Sequence, residues 1–224
     1  MQTDKNIEPI QKPDFTIINK VTVILGRRGS GKSVLAAELI KKEQHCFDKI
    51  FLFSPTEKIN SFFTKAGIVE PKYVFETFEE NFVKNVFKKI EEINAGLDKD
   101  QQKKVLFLLD DLIGDQNLHT SNALKMCAVR SRHINVSLML LIQHSNSISP
   151  LLRNNSDTVL ISTINHSSIQ TIAESFCLGK GNTVRRFTDM YEKTCHDFTF
   201  LVINNQCTKN NSIEEIYSSM RVSL

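Results

Sequence analysis

The segment Gly26-Arg27-Arg28-Gly29-Ser30-Gly31-Lys32-Ser33 limits what this chain can fold into more than any other stretch, because it fits G-x-x-x-x-G-K-[ST]. Gly26, Gly29 and Gly31 permit backbone angles and close approaches that a Cβ would block. Bare N–H groups can then converge on the β- and γ-phosphates of a nucleotide. Lys32 adds a mobile positive charge, and the Ser33 hydroxyl is placed to ligate Mg²⁺. The flanks have the required character. Val21-Thr22-Val23-Ile24-Leu25 is short, apolar and β-branched and reads as a buried strand. Residues 34–42 carry apolar side chains at helical spacing and end in lysines, which suit a helix C-terminus. Strand, glycine loop and helix in that order aim a helix N-terminus at an anion. The site is one for a nucleotide.

A second landmark is Val105-Leu106-Phe107-Leu108-Leu109-Asp110-Asp111, five apolar residues ending in two carboxylates. Ligands of open α/β sheets bind outside the carboxyl ends of the strands, so these acids can meet the metal held by Ser33. Asp110 is assigned to Mg²⁺ through water, and Asp111 to orienting or deprotonating the attacking water. The strand read at Ile50–Phe53 lies between loop and acids in sequence, the arrangement of additional-strand P-loop ATPases. No N-K-x-D guanine motif occurs, since Asn19-Lys20 is followed by Val21-Thr22, and ATP is the expected nucleotide. A further strand over 136–142 ends in Gln143, which would stand beside the γ-phosphate and attacking water. The alternative is a surface glutamine at a strand end.

The remaining chain alternates strands and helices, as expected for a mostly parallel sheet flanked by helices. Residues 1–14 read as a flexible arm and 15–224 as a single P-loop ATPase domain, with a short strand at Phe15–Ile18. Phe78, Phe82, Val83, Val86, Phe87, Ile90 and Ile93 mark an amphipathic helix whose aromatics belong to the core. Further helices are expected over Leu118–Arg130 and 166–178, and strands over Asp157–Ile161 and Phe198–Ile203, before a polar tail. With 224 residues there is interior for a sizeable core, and a net charge of +3 neither demands nor excludes nucleic acid. Five cysteines without a C-x-x-C pair read as free thiols of a reducing compartment. The polar N-terminus resembles neither signal peptide nor anchor, and the apolar runs are too short to span a bilayer, so an intracellular, soluble protein is expected.

GRRGSGKS, IFLFSP, VLFLLDD, SRHINVSLMLLIQ and LLRNNSD occur in that order over roughly residues 20–165. Together they resemble the poxvirus-type genome-packaging ATPases of the FtsK/HerA superfamily, found in large DNA viruses and virophages. The most specific elements are an Arg-His before the sensor strand, Gln143 at its end, and an Arg-x-Asn ten residues later. The resemblance implies a RecA-like additional-strand fold. It also implies a homo-oligomeric ring, usually hexameric, that moves double-stranded DNA into a preformed capsid through a capsid or vertex partner. Virion and host cytoplasm are the implied locations. Arg132 matches the Arg-His motif and Arg153 the Arg-x-Asn motif, and either could be a finger reaching a neighbour's γ-phosphate. The position of Arg132 relative to Gln143 is the more similar to such fingers. A structural salt bridge is the alternative for both. HerA-like relatives often have Asp-Glu where this chain has Asp110-Asp111.

ATP with Mg²⁺ would then bind between protomers, and hydrolysis would shift basic loops against the DNA backbone. Lys180, Arg185 and Arg186, beside flexible glycines, are the candidate sequence-independent contacts, with a solvated basic face as the alternative. Rival readings are a HerA-like cellular translocase or helicase, a small-molecule P-loop kinase, and a nucleotide-binding scaffold without turnover.

Overall fold

The structure, a computed structural model, describes residues 10–11, 15–112, 118, 121–145, 149–208 and 210–222. The strands are β1 (Ile10–Gln11), β2 (Val21–Leu25), β3 (Lys49–Phe53), β4 (Val74–Phe75), β5 (Val105–Asp110), β6 (Val136–Ile142), β7 (Thr158–Ile161), β8 (Thr199–Asn204) and β9 (Tyr217–Arg221). The helices are α1 (Lys32–Glu43), α2 (Glu57–Asn60), α3 (Phe62–Lys65), α4 (Glu80–Asn94), α5 (Asn122–Arg130), α6 (Pro150–Asn155), α7 (His166–Phe176), α8 (Val184–Thr194) and α9 (Ile213–Ile216). The described residues form one nine-stranded sheet in the order β1-β9-β8-β7-β2-β6-β5-β3-β4. Within it only β8 runs against its neighbours. In space β6 separates β2 from β5, while β3, which lies between them in sequence, sits on the far side of β5.

β2 and β5 are buried along their whole length because helices cover both faces of the sheet. Successive side chains therefore enter different cores. Val21, Val23 and Leu25 join Phe51, Phe53, Phe107 and the apolar sides of α4, α5, α7 and α8. Ile24 joins Leu52, Leu106, Leu108, Met139, Leu141 and the inner side of α1. The aromatics of α4 are core, as read from the sequence. Phe82 packs at 5.1 Å from Phe51 and 4.6 Å from Phe75, and Phe87 stacks at 6.2 Å on Phe107. Ile93 departs from that stripe and is exposed; the last turn instead buries Asn94, whose amide brackets the Lys103 backbone.

Several expectations are corrected. Phe15–Ile18 forms no strand. Ile10–Gln11, placed in the arm, adds an edge strand parallel to β9; residues 1–9 and 12–14 of that arm lie outside the described residues. The helix expected from Leu118 starts at Asn122, because the Ser121 hydroxyl accepts from Leu124 N and caps it there; residues 119 and 120 lie outside the described set. The polar tail is β9, paired antiparallel with β8. Residues 184–194 form α8, which buries Phe187, Met190, Tyr191 and Thr194 at helical spacing. All five cysteines are free thiols, as expected. Among the described residues no helix is long and apolar enough to cross a membrane.

Candidate active site

Parallel strands gather their carboxyl ends on one edge, and the glycine loop is pinned there between two neighbours of β2. Gly26 N donates to Ile142 O at the end of β6 (3.1 Å), and Arg27 N donates to Thr163 O beyond β7 (2.8 Å). A Cβ on Gly26 would stand 2.4 Å from Ser30 Oγ, so a larger residue would force that buried hydroxyl to move. Gly31 has φ 88° and ψ 9°, a left-handed conformation that costs glycine little, and it is the N-cap of α1. No side chain among the described residues caps that helix, and no acidic residue lies in its first turn. Its first N–H groups are therefore free to take an anion. Ser30 Oγ is buried and finds no hydrogen-bond partner among the described residues.

Lys32 folds back onto the loop, its Nζ donating to Gly26 O (2.8 Å) and Arg27 O (3.1 Å). Burial holds this ammonium below the ordinary lysine range, and the charges of Asp111 and then Asp110 offset part of that. Both acids thus act on Lys32 across the end of β6. Asp110, the last residue of β5, is 8% exposed, and Ser54 Oγ donates to it over a long 3.4 Å. Burial first and the Asp111 charge second push its carboxyl up to about 6, against the pull of Lys32 and Ser54. Asp111 is half-buried and turns out of the strand with φ 54°, its N–H donating to Leu141 O (3.3 Å). Gln143 follows Ile142, the residue whose carbonyl holds Gly26. Gly26–Ser33, Asp110, Asp111 and Gln143 therefore share the carboxyl edge of β2, β5 and β6, as the sequence led one to expect.

The profile of the family described as "Poxvirus A32 protein" matches residues 10–221. The chain belongs to the poxvirus A32 protein family. It is similar to "Uncharacterized protein 075L" of Invertebrate iridescent virus 6, with 24% identity over 217 residues, 96% of this chain and 82% of that protein. "Uncharacterized protein 015R" of Frog virus 3 (isolate Goorha) is 20% identical over 198 residues, which cover 87% of this chain and 59% of that protein. Among solved structures, the genome packaging NTPase B204 from Sulfolobus turreted icosahedral virus 2 in complex with sulfate has a TM-score of 0.63 at 15% identity, covering 92% of this chain and 97% of that one. Its complex with AMPPCP has a TM-score of 0.56 at 15% identity, covering 84% and 93%. These likenesses show the fold, a mostly parallel sheet flanked by helices, in agreement with the fold expected from the motifs.

Other residues singled out in this A32-family chain lie elsewhere in the fold. Arg132, in the 3-10 turn before β6, pairs with Asp157 Oδ1 at 2.9 Å, at the amino edge of the sheet. Arg153, on α6, donates to Ser175 Oγ on α7 at 3.0 Å. Lys180, Arg185 and Arg186 surround the turn between α7 and α8, where Lys180 N donates to Asn211 O (3.2 Å) and Arg186 Nη1 to Gly181 O (3.0 Å). That turn also lies toward the amino edge, since Leu178 N meets the hydroxyl of Tyr217 at the start of β9. None of the five joins the glycine loop within this chain. Ser54 is the site residue that sequence reading missed; its position directly after a strand beside the acid-bearing one was the available signal. Nearby Glu57 is engaged otherwise, accepting from Phe63 N, Thr64 N and Thr64 Oγ1.

Proposed function

We propose that this chain is a viral genome-packaging NTPase that hydrolyses ATP to drive double-stranded DNA into a preformed capsid, acting as a homo-oligomeric ring. Membership of the A32 family and the fold shared with the packaging NTPase B204 support the packaging NTPase reading. The observation that carries the chemistry is the buried Lys32 facing two carboxylates, one of them pushed up to about 6, at the mouth of a helix that no side chain among the described residues caps.

In this reading Lys32 exchanges the Gly26 and Arg27 carbonyls for phosphate oxygens, and the N–H groups of residues 29–33 close around the phosphate chain. Ser33, and Asp110 through water, would hold Mg²⁺. One hydroxyl and one carboxylate fit a hard cation that keeps waters and substrate phosphates, and a buried Asp110 short of partners suits a cationic neighbour. When bound, the cation neutralises phosphate charge. Asp111 and Gln143 orient the attacking water, and Asp111 takes its proton. An arginine of the adjacent protomer, Arg132 or Arg153, completes the charge stabilisation. Lys180, Arg185 and Arg186 would meet DNA phosphates, which predicts weak sequence preference and strong salt dependence. Virion and host cytoplasm are the corresponding locations, with a capsid or vertex protein as docking partner.

The test is ATP turnover against protein concentration, with and without duplex DNA. Turnover that rises more steeply than protein concentration and is stimulated by DNA is expected. Turnover that stays proportional to protein and indifferent to DNA would refute the ring motor. Mixing Lys32→Ala with an arginine-finger variant, each inactive alone, should restore activity only when finger and site come from different protomers.

A further inference from the structure

β2 has the acids on one side, across β6 on β5, and β7 then β8 on the other. A triphosphate whose terminal phosphate turns toward Asp110 and Asp111 therefore carries its nucleoside toward β7 and β8. The chain that meets it there is the turn from α8 into β8, because β8 is antiparallel and begins at the carboxyl edge, with Leu201 opposite Ile161.

Phe198 stands in that turn. Among the described residues it is the one aromatic ring in the set of exposed large hydrophobic side chains, at 37%. Its Cδ1 lies 3.2 Å from where a Cβ on Gly31 would be, so the ring borders the last glycine of the phosphate loop. Asp197 and Phe198 both take positive φ, 45° and 60°, a region that side chains with a Cβ rarely enter. Thr199 N donates to His196 O (2.8 Å) and Val222 N to Phe198 O (3.1 Å), which holds the turn in that shape. The same turn is tied to the loop below it. Thr163 accepts the Arg27 N–H through its carbonyl and donates through Oγ1 to Cys195 O (3.5 Å). Tyr191 OH accepts from Ile164 N (2.9 Å) and donates to Ser162 O (3.2 Å), and Cys195 Sγ donates to Ile161 O (3.1 Å). A core ring has no need of exposure, and a surface ring has no need of a constrained turn fastened to a phosphate loop.

We propose that the open face of Phe198 is the platform on which the nucleobase of the bound triphosphate stacks. The proposal rests on the glycine loop holding the phosphates, and it adds how the base is held. A ring selects an aromatic base without reading its edges, so affinity would depend on stacking more than on base identity.

The chain contains no tryptophan, so Phe198→Trp installs a single reporter at the platform. Binding of ATP with magnesium and of inorganic tripolyphosphate with magnesium is measured by calorimetry for the wild type, Phe198→Ala, Phe198→Trp and Lys32→Ala. Phe198→Ala is expected to weaken ATP by about 5- to 150-fold, the ratio for stacking one base, and to leave tripolyphosphate unchanged. The indole emission of Phe198→Trp is expected to change with ATP and not with tripolyphosphate. Unaltered ATP affinity in Phe198→Ala, or indole emission of Phe198→Trp indifferent to saturating ATP, overturns the platform while leaving the phosphate site standing. Should Phe198→Ala not fold, the emission of Phe198→Trp decides alone. A wild type that binds neither ligand overturns the phosphate site itself, and the platform with it.

Discussion

Asp157 and Asp110 lie at opposite ends of the same set of parallel strands, and both are nearly closed to solvent, at 1% and 8%. Their surroundings differ completely. Asp157 accepts from Val21 N at 2.7 Å and from Gln206 Nε2, and it pairs with Arg132 at 2.9 Å and Lys20 at 3.5 Å. Asp110 has the Ser54 hydroxyl at 3.4 Å, a repelling Asp111 and the distant help of Lys32. One acid is saturated by the fold and serves to lock β2, β7, the turn before β6 and the end of β8 together. The other is left short, and burial with Asp111 beside it pushes its carboxyl up to about 6. Asp157 is thus satisfied within this chain, whereas Asp110 is left to receive charge from outside.

Four measurements would break or sharpen this contrast. The largest effect belongs to Asp157→Ala, expected to lower unfolding free energy by about 3 kcal/mol in urea melts, since it strands the buried Val21 N–H and removes the acceptor of Gln206. A loss below about 1 kcal/mol would erase the distinction between the two edges, because that is the scale of an ordinary exposed pair.

Asp110→Asn should go the other way. With its carboxyl raised to about 6 from 3.8, the native state holds a proton that the unfolded chain has already released. This group's contribution therefore falls as pH rises from about 4 through about 6, and stays low above. The amide cannot ionise, so the variant is expected to be more stable than the wild type at pH 8 by about 1–3 kcal/mol at 1.36 kcal/mol per unit. That advantage should vanish near pH 4, while turnover at pH 8 drops by at least about 10²-fold. Equal stability at both pH values would contradict the strained carboxylate.

Next is Arg132→Ala. Its side chain is 46% exposed, so its pairing with Asp157 is worth about 1 kcal/mol or less after screening. Thermal denaturation is expected to show that modest loss, with Arg153→Ala nearly neutral; the reverse order would move the structural role to α6. Ser54→Ala is the smallest change. It removes one long hydrogen bond to Asp110 and should raise the midpoint of the pH–stability curve by less than about one unit, equal to less than 1.36 kcal/mol. A downward shift would mean that the hydroxyl does not donate to the carboxylate.

The local chemistry of the site was legible in the chain itself. Val21–Leu25, the glycine pattern and Lys32–Ser33 name a strand, a turn and a helix whose N–H groups lie open, and each step is a neighbour effect over a few residues. Val105–Asp111 was legible for the same reason, since an apolar run that ends in acids reads as a buried strand meeting a wet edge. Helix α8 was missed although Phe187, Met190 and Tyr191 are spaced for it, because the lysines and arginines around them mask the stripe. β9 carried no such signal: Tyr217-Ser218-Ser219-Met220-Arg221 becomes a strand because the edge of β8 needs a partner.

Order along the chain puts β3 between the phosphate loop and the acids, whereas order across the sheet puts β6 there, because it depends on which strands find each other over long separations. Residues close along the chain wrote the phosphate loop, the acid-tipped strand and the α/β class, since turn geometry and hydrophobic period act over a single turn or strand. Which of two aspartates is satisfied, which ring stands beside Gly31, and which arginine is already paired were settled by folding alone. Those properties depend on partners that packing brings from well outside the local element, as far as Asp157 and Val21 with a separation of 136.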